Sequence, residues 1–262
     1  MASLDEMQTN VRVLLDGDHD AVFCHGHFAR LFEAYRLHVS RWESLPPEPL
    51  LSKMQSLLAA ACLHLSCKPR DQFTAWTLNL HHPSANLFAT GDNQAGTVTG
   101  RLITSGVRTG KENRLFVESR RGAFRGESLI SFTEDQIPAI IEAYYQRSEQ
   151  TRVRLFELAA AELLLVFGLP RVDDAWLSGL DGGAARRRID EGLSLVEERA
   201  FVFECGCNAQ RMLGVLKSLF GERAEALFLG EDQLEAFCPR CGRRWWIARE
   251  DFQEGSGRVG LS

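Results

Sequence analysis

Two close cysteine pairs constrain this chain more than any other feature. Cys205-Gly206-Cys207 is followed, after thirty residues, by Cys238-Pro239-Arg240-Cys241. A Cys-x-x-Cys hairpin aims two sulfurs at one point, and Gly242 directly after it permits the tight backbone of such a turn. The Cys-x-Cys spacing is rarer, and Gly206 gives it freedom to turn both side chains to one side. Zinc favours four thiolates in a tetrahedron. The spacing predicts one Zn2+ per chain in the reduced state, with Cys205, Cys207, Cys238 and Cys241 as metal ligands.

The rest of the composition narrows the setting. Seven cysteines are an odd number, and the N-terminus shows no basic start followed by an apolar run. The expected location is therefore the reducing cytoplasm, where a stable disulfide framework does not persist. A net charge of −5 provides no basic field for nucleic acid or an anionic membrane. Leu155–Leu169 is the longest apolar stretch, and Glu157 and Glu162 interrupt it, so it reads as a core helix or strand rather than a membrane span. No nucleophile–base set, phosphate loop or carboxylate pair points to an enzyme.

Periodicity places helices and strands. Phe28, Leu31, Phe32, Tyr35, Val39 and Trp42 share a helical face over 27–45, which Pro46, Pro47 and Pro49 end. A second amphipathic helix carries Leu50, Leu51, Met54, Leu57, Leu58, Ala61, Cys62 and Leu65. Trp76, Leu78 and Leu80 then alternate as a strand, and further strands are expected near 97–103, 114–119 and 124–132. Thr133 and Gln136 suggest a capping box before a helix bearing Ile137, Ile140, Ile141, Tyr144 and Tyr145. The fold class expected is α+β: an N-terminal mixed-sheet domain with packed helices, a charged linker and a small C-terminal zinc-binding domain.

The boundaries expected are 1–170, 171–199 and 200–262. From Arg171 to Arg199 there are twelve charged residues and four glycines, so this linker buries little and is weakly stable, with one short helix around Ala184 to Leu195. In the last part Asn208 caps a helix bearing Met212, Val215, Leu216, Leu219, Phe220 and Leu227, which Gly230 ends. Trp245, Trp246 and Ile247 form a short strand, the two tryptophans completing a small core. A structural zinc contributes about 10–16 kcal/mol of apparent folding free energy in domains of this kind. Its thiolates are also the form that oxidants attack, so loss of the metal would remove that support.

At these residues the sequence resembles the heat shock protein 33 family of redox-regulated chaperones. The cysteine pairs match in spacing, as do the preceding Phe203-Glu204 and the following Gly242. Upstream, Tyr144-Tyr145-Gln146-Arg147-Ser148-Glu149-Gln150 resembles a family segment, with Leu155-Phe156 in the strand after it and Phe124-Arg125-Gly126 in the strand before it. The resemblance implies an ATP-independent holdase, inactive when reduced and zinc-bound. It further implies redox-switch disulfides Cys205–Cys207 and Cys238–Cys241, loss of zinc on oxidation, and unfolding of the zinc domain and then of the linker. Unfolding client proteins are the implied partners, with homodimerisation on oxidation left open. The chain departs from the family in a linker shorter by more than ten residues and in Leu80-His81-His82-Pro83, where the family has a glycine-rich turn.

Two other functions compete. A zinc-ribbon module with purely structural zinc would bind protein or nucleic acid, although residues 200–262 hold eight Lys/Arg against nine Asp/Glu. A thiol oxidoreductase would use Cys238 and Cys241, without the strand-to-helix setting that chemistry favours. Cys24, His25 and His27 lie close together and His81 and His82 are adjacent, but a second metal site is not expected; the histidines are expected at the surface or core edge. Cys62 reads as a small buried hydrophobe and Cys67 as an exposed, oxidisable thiol without a role. Arg186-Arg187-Arg188 reads as a solvated face, with docking against acidic residues of the first domain as the alternative.

Overall fold

The computed structural model of the chain describes residues 8–108, 110–221, 223 and 227–254. It divides into two compact units, one ending at Glu204 and one beginning at Cys205. Among the described residues, no helix is long and apolar enough to cross a membrane.

The first unit is built on a ten-stranded sheet. Its chain order is β1 (Thr9–Asp16), β2 (Ala21–His27), α1 (Ala29–Trp42), α2 (Glu48–Ser66), β3 (Gln72–Leu80), β4 (Ala85–Asp92), β5 (Thr97–Ile103), β6 (Asn113–Arg121) and β7 (Phe124–Phe132). There follow α3 (Ile137–Tyr144), β8 (Val153–Ala159), β9 (Glu162–Gly168), α4 (Asp174–Gly179), α5 (Gly182–Gly192) and β10 (Ser194–Phe203). The spatial order is β7-β6-β3-β4-β5-β10-β1-β2-β9-β8. The α+β class expected from the sequence is therefore present.

Helix α2 is buried nearly all round, with every residue from Leu57 to Ser66 out of solvent. It packs on β4 and β5 and reaches β1, β2 and β9, so one helix serves both halves of the sheet. The half formed by β1, β2, β9 and β8 is apolar on both faces. Val11, Val13, Cys24, Leu163 and Leu165 face the core around α2. Leu14, Phe23, Leu164 and Val166 face a second cluster under α4 and α5. Double-sided burial is why Leu155–Leu169 reads as a continuous apolar run; it is two strands joined at Ala160-Ala161.

Strand β10 joins the halves. It runs antiparallel to β1, from Thr9 opposite Phe201 to Leu15 opposite Ser194. At its far end Val202 and Phe203 pair in parallel with Thr97 and Val98 of β5. Phe201 is fully buried there.

Several expectations are corrected. Strands β1, β2 and β4 were not foreseen. The Thr133–Gln136 capping box does not form: Gln136 is the N-cap of α3, without a side-chain bond. The segment 171–199, expected as a weakly stable linker with one short helix, holds two helices and the start of β10 within the first unit. Its few apolar residues fall on one side, where Leu177, Leu180 and Ala185 join Phe23, Phe156, Leu164 and Val166. Asp173 and Asp181 cap α4 and α5 through their carboxylates. The arginine run is docked rather than merely solvated. Arg188 holds the buried Asp16 through two bonds of 2.8 and 3.0 Å, and Arg186 meets Glu162.

A candidate metal centre of four thiols

The second unit contains α6 (Ala209–Phe220), the hairpin strands β11 (Gln233–Phe237) and β12 (Arg244–Ala248), and α7 (Arg249–Glu254). Asn208 is the N-cap of α6, its side chain accepting from the Arg211 amide at 2.8 Å, as the sequence predicts. The helix stops earlier than expected. Gly221 takes φ +56° after Phe220, and the expected continuation through residues 222 and 224–226 lies outside the described residues.

One cysteine pair comes from each side of this unit. Cys205 and Cys207 lie in the loop leading into α6. Gly206 between them has φ +61°, a left-handed conformation that a side chain resists. Arg211 reaches back and donates to the Gly206 carbonyl at 2.5 Å, bracing the loop. Cys238 and Cys241 occupy the β11–β12 turn. Its backbone closes with the Cys238 amide on the Arg243 carbonyl at 2.8 Å and the Gly242 amide on the Cys238 carbonyl at 2.9 Å. Gly242 has φ +78°, so the glycine anticipated after the pair does conformational work in this turn.

The four sulfurs lie within 4.8 Å of one another. Cys205 to Cys238 and Cys207 to Cys241 are each 3.6 Å. Four thiolates about 2.3 Å from a central zinc would sit roughly 3.8 Å apart, so the spacing fits that ion without large rearrangement. Cys238 and Cys241 are buried, while Cys205 and Cys207 are half-buried.

Without a cation the thiols compete for one negative charge. Hydrogen bonds from Cys205, then from Cys241, drive the Cys238 thiol well below the ordinary thiol range. The same contact with Cys238 pushes Cys205 up to about 12, and Cys241 is raised further by Cys205 and Cys238. A divalent cation reverses this competition, because its charge favours every thiolate around it. The donor set is therefore able to hold a metal ion.

The core beneath is small. Met212, Phe228, Ala236, Ile247 and Phe252 pack with the two buried sulfurs. Trp245 joins this cluster, whereas Trp246, expected beside it, points outward at 62% exposure because neighbours on a strand face opposite ways.

The other sequence-selected residues do not assemble a second metal site among the described residues. The His25 Nε2 lies 2.7 Å from Glu162, His27 is exposed, and the His81 and His82 rings meet at a tilt, 4.1 Å apart. Cys62 is buried as expected. Cys67, expected to be exposed, is half-buried, with its sulfur 3.0 Å from that of Cys24. Neither that contact nor the buried His64–Tyr145 pair, at 2.6 Å, was visible in the sequence. Residues 43 and 81 positions apart leave no local spacing signal.

Fold and centre together define an α+β protein with a ten-stranded sheet and, C-terminal to it, a four-cysteine centre able to bind metal. Comparison with known proteins shows what this arrangement is similar to. The sequence model described as Hsp33 protein matches residues 166–248. A 33 kDa chaperonin of Hahella chejuensis (strain KCTC 2396) is 25% identical over 155 residues, covering 50% of this chain and 54% of the relative. One from Edwardsiella ictaluri (strain 93-146) is 27% identical over 189 residues, covering 62% of each. The chain thus spans about half to three-fifths of the length of these curated relatives. The crystal structure of a 33 kDa chaperonin from Thermotoga maritima has the same fold, with a TM-score of 0.66 over 94% of this chain and 96% of that one, at 16% identity. Residues 166–248 thus match the Hsp33 model, and the fold as a whole is that of a 33 kDa chaperonin.

Proposed function

We propose that this chain is a redox-regulated, ATP-independent chaperone that holds unfolding proteins after oxidation of its four-cysteine centre. The observation that carries the proposal is the cover formed by α4 and α5, in the segment just upstream of the cysteines. These helices lie over Leu14, Phe23, Phe156, Leu164 and Val166. Their release would uncover a contiguous apolar face of the kind that captures unfolded chains. Phe116 and Leu129, paired across β6 and β7, already stand exposed on the sheet.

In the reduced state Cys205, Cys207, Cys238 and Cys241 would hold one zinc ion. Zinc, when bound, supplies a cross-link that so small a core lacks. The family resemblance pairs Cys205 with Cys207 and Cys238 with Cys241 as disulfides. The sulfur contacts here run the other way, from loop to turn. Disulfides within each pair would therefore disconnect the loop from the turn and free both from the metal. A disulfide across the single residue Gly206 is strained and readily reduced, which suits a reversible switch. A reducing compartment such as the cytoplasm would keep the centre metal-bound at rest. Unfolding proteins are the partners, homodimerisation on oxidation is compatible with the scheme, and no catalytic step is needed.

A purely structural zinc without a switch is the second reading, favoured by the folded and ion-paired state of 171–199. One experiment separates them. Aggregation of a heat-unfolded client is followed without ATP, with reduced and with peroxide-treated protein, while zinc release is measured. Suppression confined to the oxidised, zinc-free protein is expected. Equal suppression in both states removes the switch, and none in either removes the chaperone.

A further inference from the structure

The first unit contains a second pair of sulfurs that the four-thiol centre does not use. Cys24 lies in the middle of β2, opposite Val13 of β1 and Leu165 of β9, with no solvent exposure. Cys67 is the residue that ends α2, and it is half-buried. Their Sγ atoms are 3.0 Å apart. A disulfide bond is about 2.05 Å long, so closure needs an approach of roughly 1 Å.

Both sulfurs are held in position by their backbones. Cys24 is fixed by ladders on either side. The chain around Cys67 is fixed by Arg199 of β10, which donates to the Leu65 and Lys68 carbonyls at 2.9 and 2.8 Å. Asn93 adds bonds to the Leu65 and Pro69 carbonyls at 2.9 and 2.8 Å. The two sites also differ in access. Cys67 is partly exposed to solvent, while Cys24 is fully buried.

We propose that Cys24 and Cys67 form a second redox couple, which closes to an intrachain disulfide under hydroperoxide and fastens β2 to the end of α2. The Cys67 thiolate attacks the peroxide: an S–O bond forms, the O–O bond breaks, and the departing hydroxide takes a proton to leave as water. The Cys24 sulfur then attacks the sulfenic acid: the S–S bond forms, the S–O bond breaks, and the Cys24 proton leaves with the hydroxyl as a second water. Two thiols lose two electrons, and the peroxide gains them. The hydrogen bond to Cys67, then burial, hold the Cys24 thiol well above the ordinary range, which suits a resolving group rather than a first nucleophile. Closing this loop restrains the unfolded chain, so the oxidised first unit becomes harder to unfold.

The test uses the full chain. It is treated with hydrogen peroxide, quenched in acid, alkylated in guanidinium without reduction, digested and analysed by mass spectrometry. The expected product is a peptide pair linking Cys24 to Cys67 within one chain, leaving Cys62 as the alkylated thiol of this unit. In C24S, Cys67 is expected to proceed to sulfinic acid. C67S, altered at a half-buried position that perturbs folding less, is expected to lose the rise in melting temperature that oxidation gives the first unit. The proposal is overturned if Cys24 and Cys67 are both alkylated after the other four thiols are consumed. It is equally overturned if Cys67 is modified alone in the natural sequence, or if either sulfur links to Cys62 or to another chain.

Discussion

One buried imidazole gives the first unit part of its acid sensitivity. His64 is buried on α2, with Nδ1 2.6 Å from the Tyr145 hydroxyl. Burial, then the charge of Lys68, push its pKa down to about 3. The unfolded chain takes up this proton near pH 6.5, long before the folded one does. The contribution of neutral His64 to stability is therefore intact above pH 6.5 and is lost as pH falls from there towards 3. Loss is about 1.4 kcal/mol per pH unit within that window. Urea unfolding of the first unit is expected to show roughly 2 kcal/mol less stability at pH 5 than at pH 7, and H64Q should flatten the dependence. Asp16 acts in a separate window. Burial opposes its ionisation, but the bonds and charges of Arg188 and His19 hold it below the usual carboxylate range. Its contribution is present above pH of about 4 and falls away only below it.

At the scale of elements, docking of α5 rests on Arg188. The carboxylate it pairs with is 1% exposed, so removing the guanidinium leaves a buried charge without its principal partner. R188A is expected to destabilise α4 and α5 by about 3 kcal/mol, read as faster amide exchange over 174–192. Unchanged exchange there would show that the apolar contacts alone suffice. Under the proposed function, R188A should also suppress client aggregation at lower oxidant doses. This docking marks the limit of what sequence patterns reveal. Helices α1, α2 and α6 were legible because their apolar positions recur locally, and the Asn208 cap because it acts three residues away. The two cysteine pairs were legible for the same reason. Strand β1 was not: it pairs with the adjacent β2, but the run Leu14-Leu15 breaks its apolar alternation, and its other partner, β10, lies almost the whole unit further along the chain. Residues 171–199 look marginal by composition, and only the distant Asp16, Phe23 and Leu164 give their few apolar and basic side chains a place to dock.

Across the whole molecule, the two units have separate cores, and only the second depends on thiols for much of its interior. Chelation of the reduced protein is expected to abolish amide protection over the described part of the second unit, 205–221, 223 and 227–254. Protection in α2 and β3–β6 should persist. Hydrogen exchange with mass spectrometry distinguishes this from collapse of the whole chain, which would show the units to be interdependent. One strand gives the sheet an unusual vulnerability. Among the described residues the sheet has two outer edges, β7 and β8. Its seam at β5 is fastened by only the last residues of β10, just ahead of Cys205 in the chain. Peeling that strand away would leave β5 and β1 as two raw margins, each a row of unsatisfied amides and carbonyls ready to stitch onto any extended polypeptide nearby.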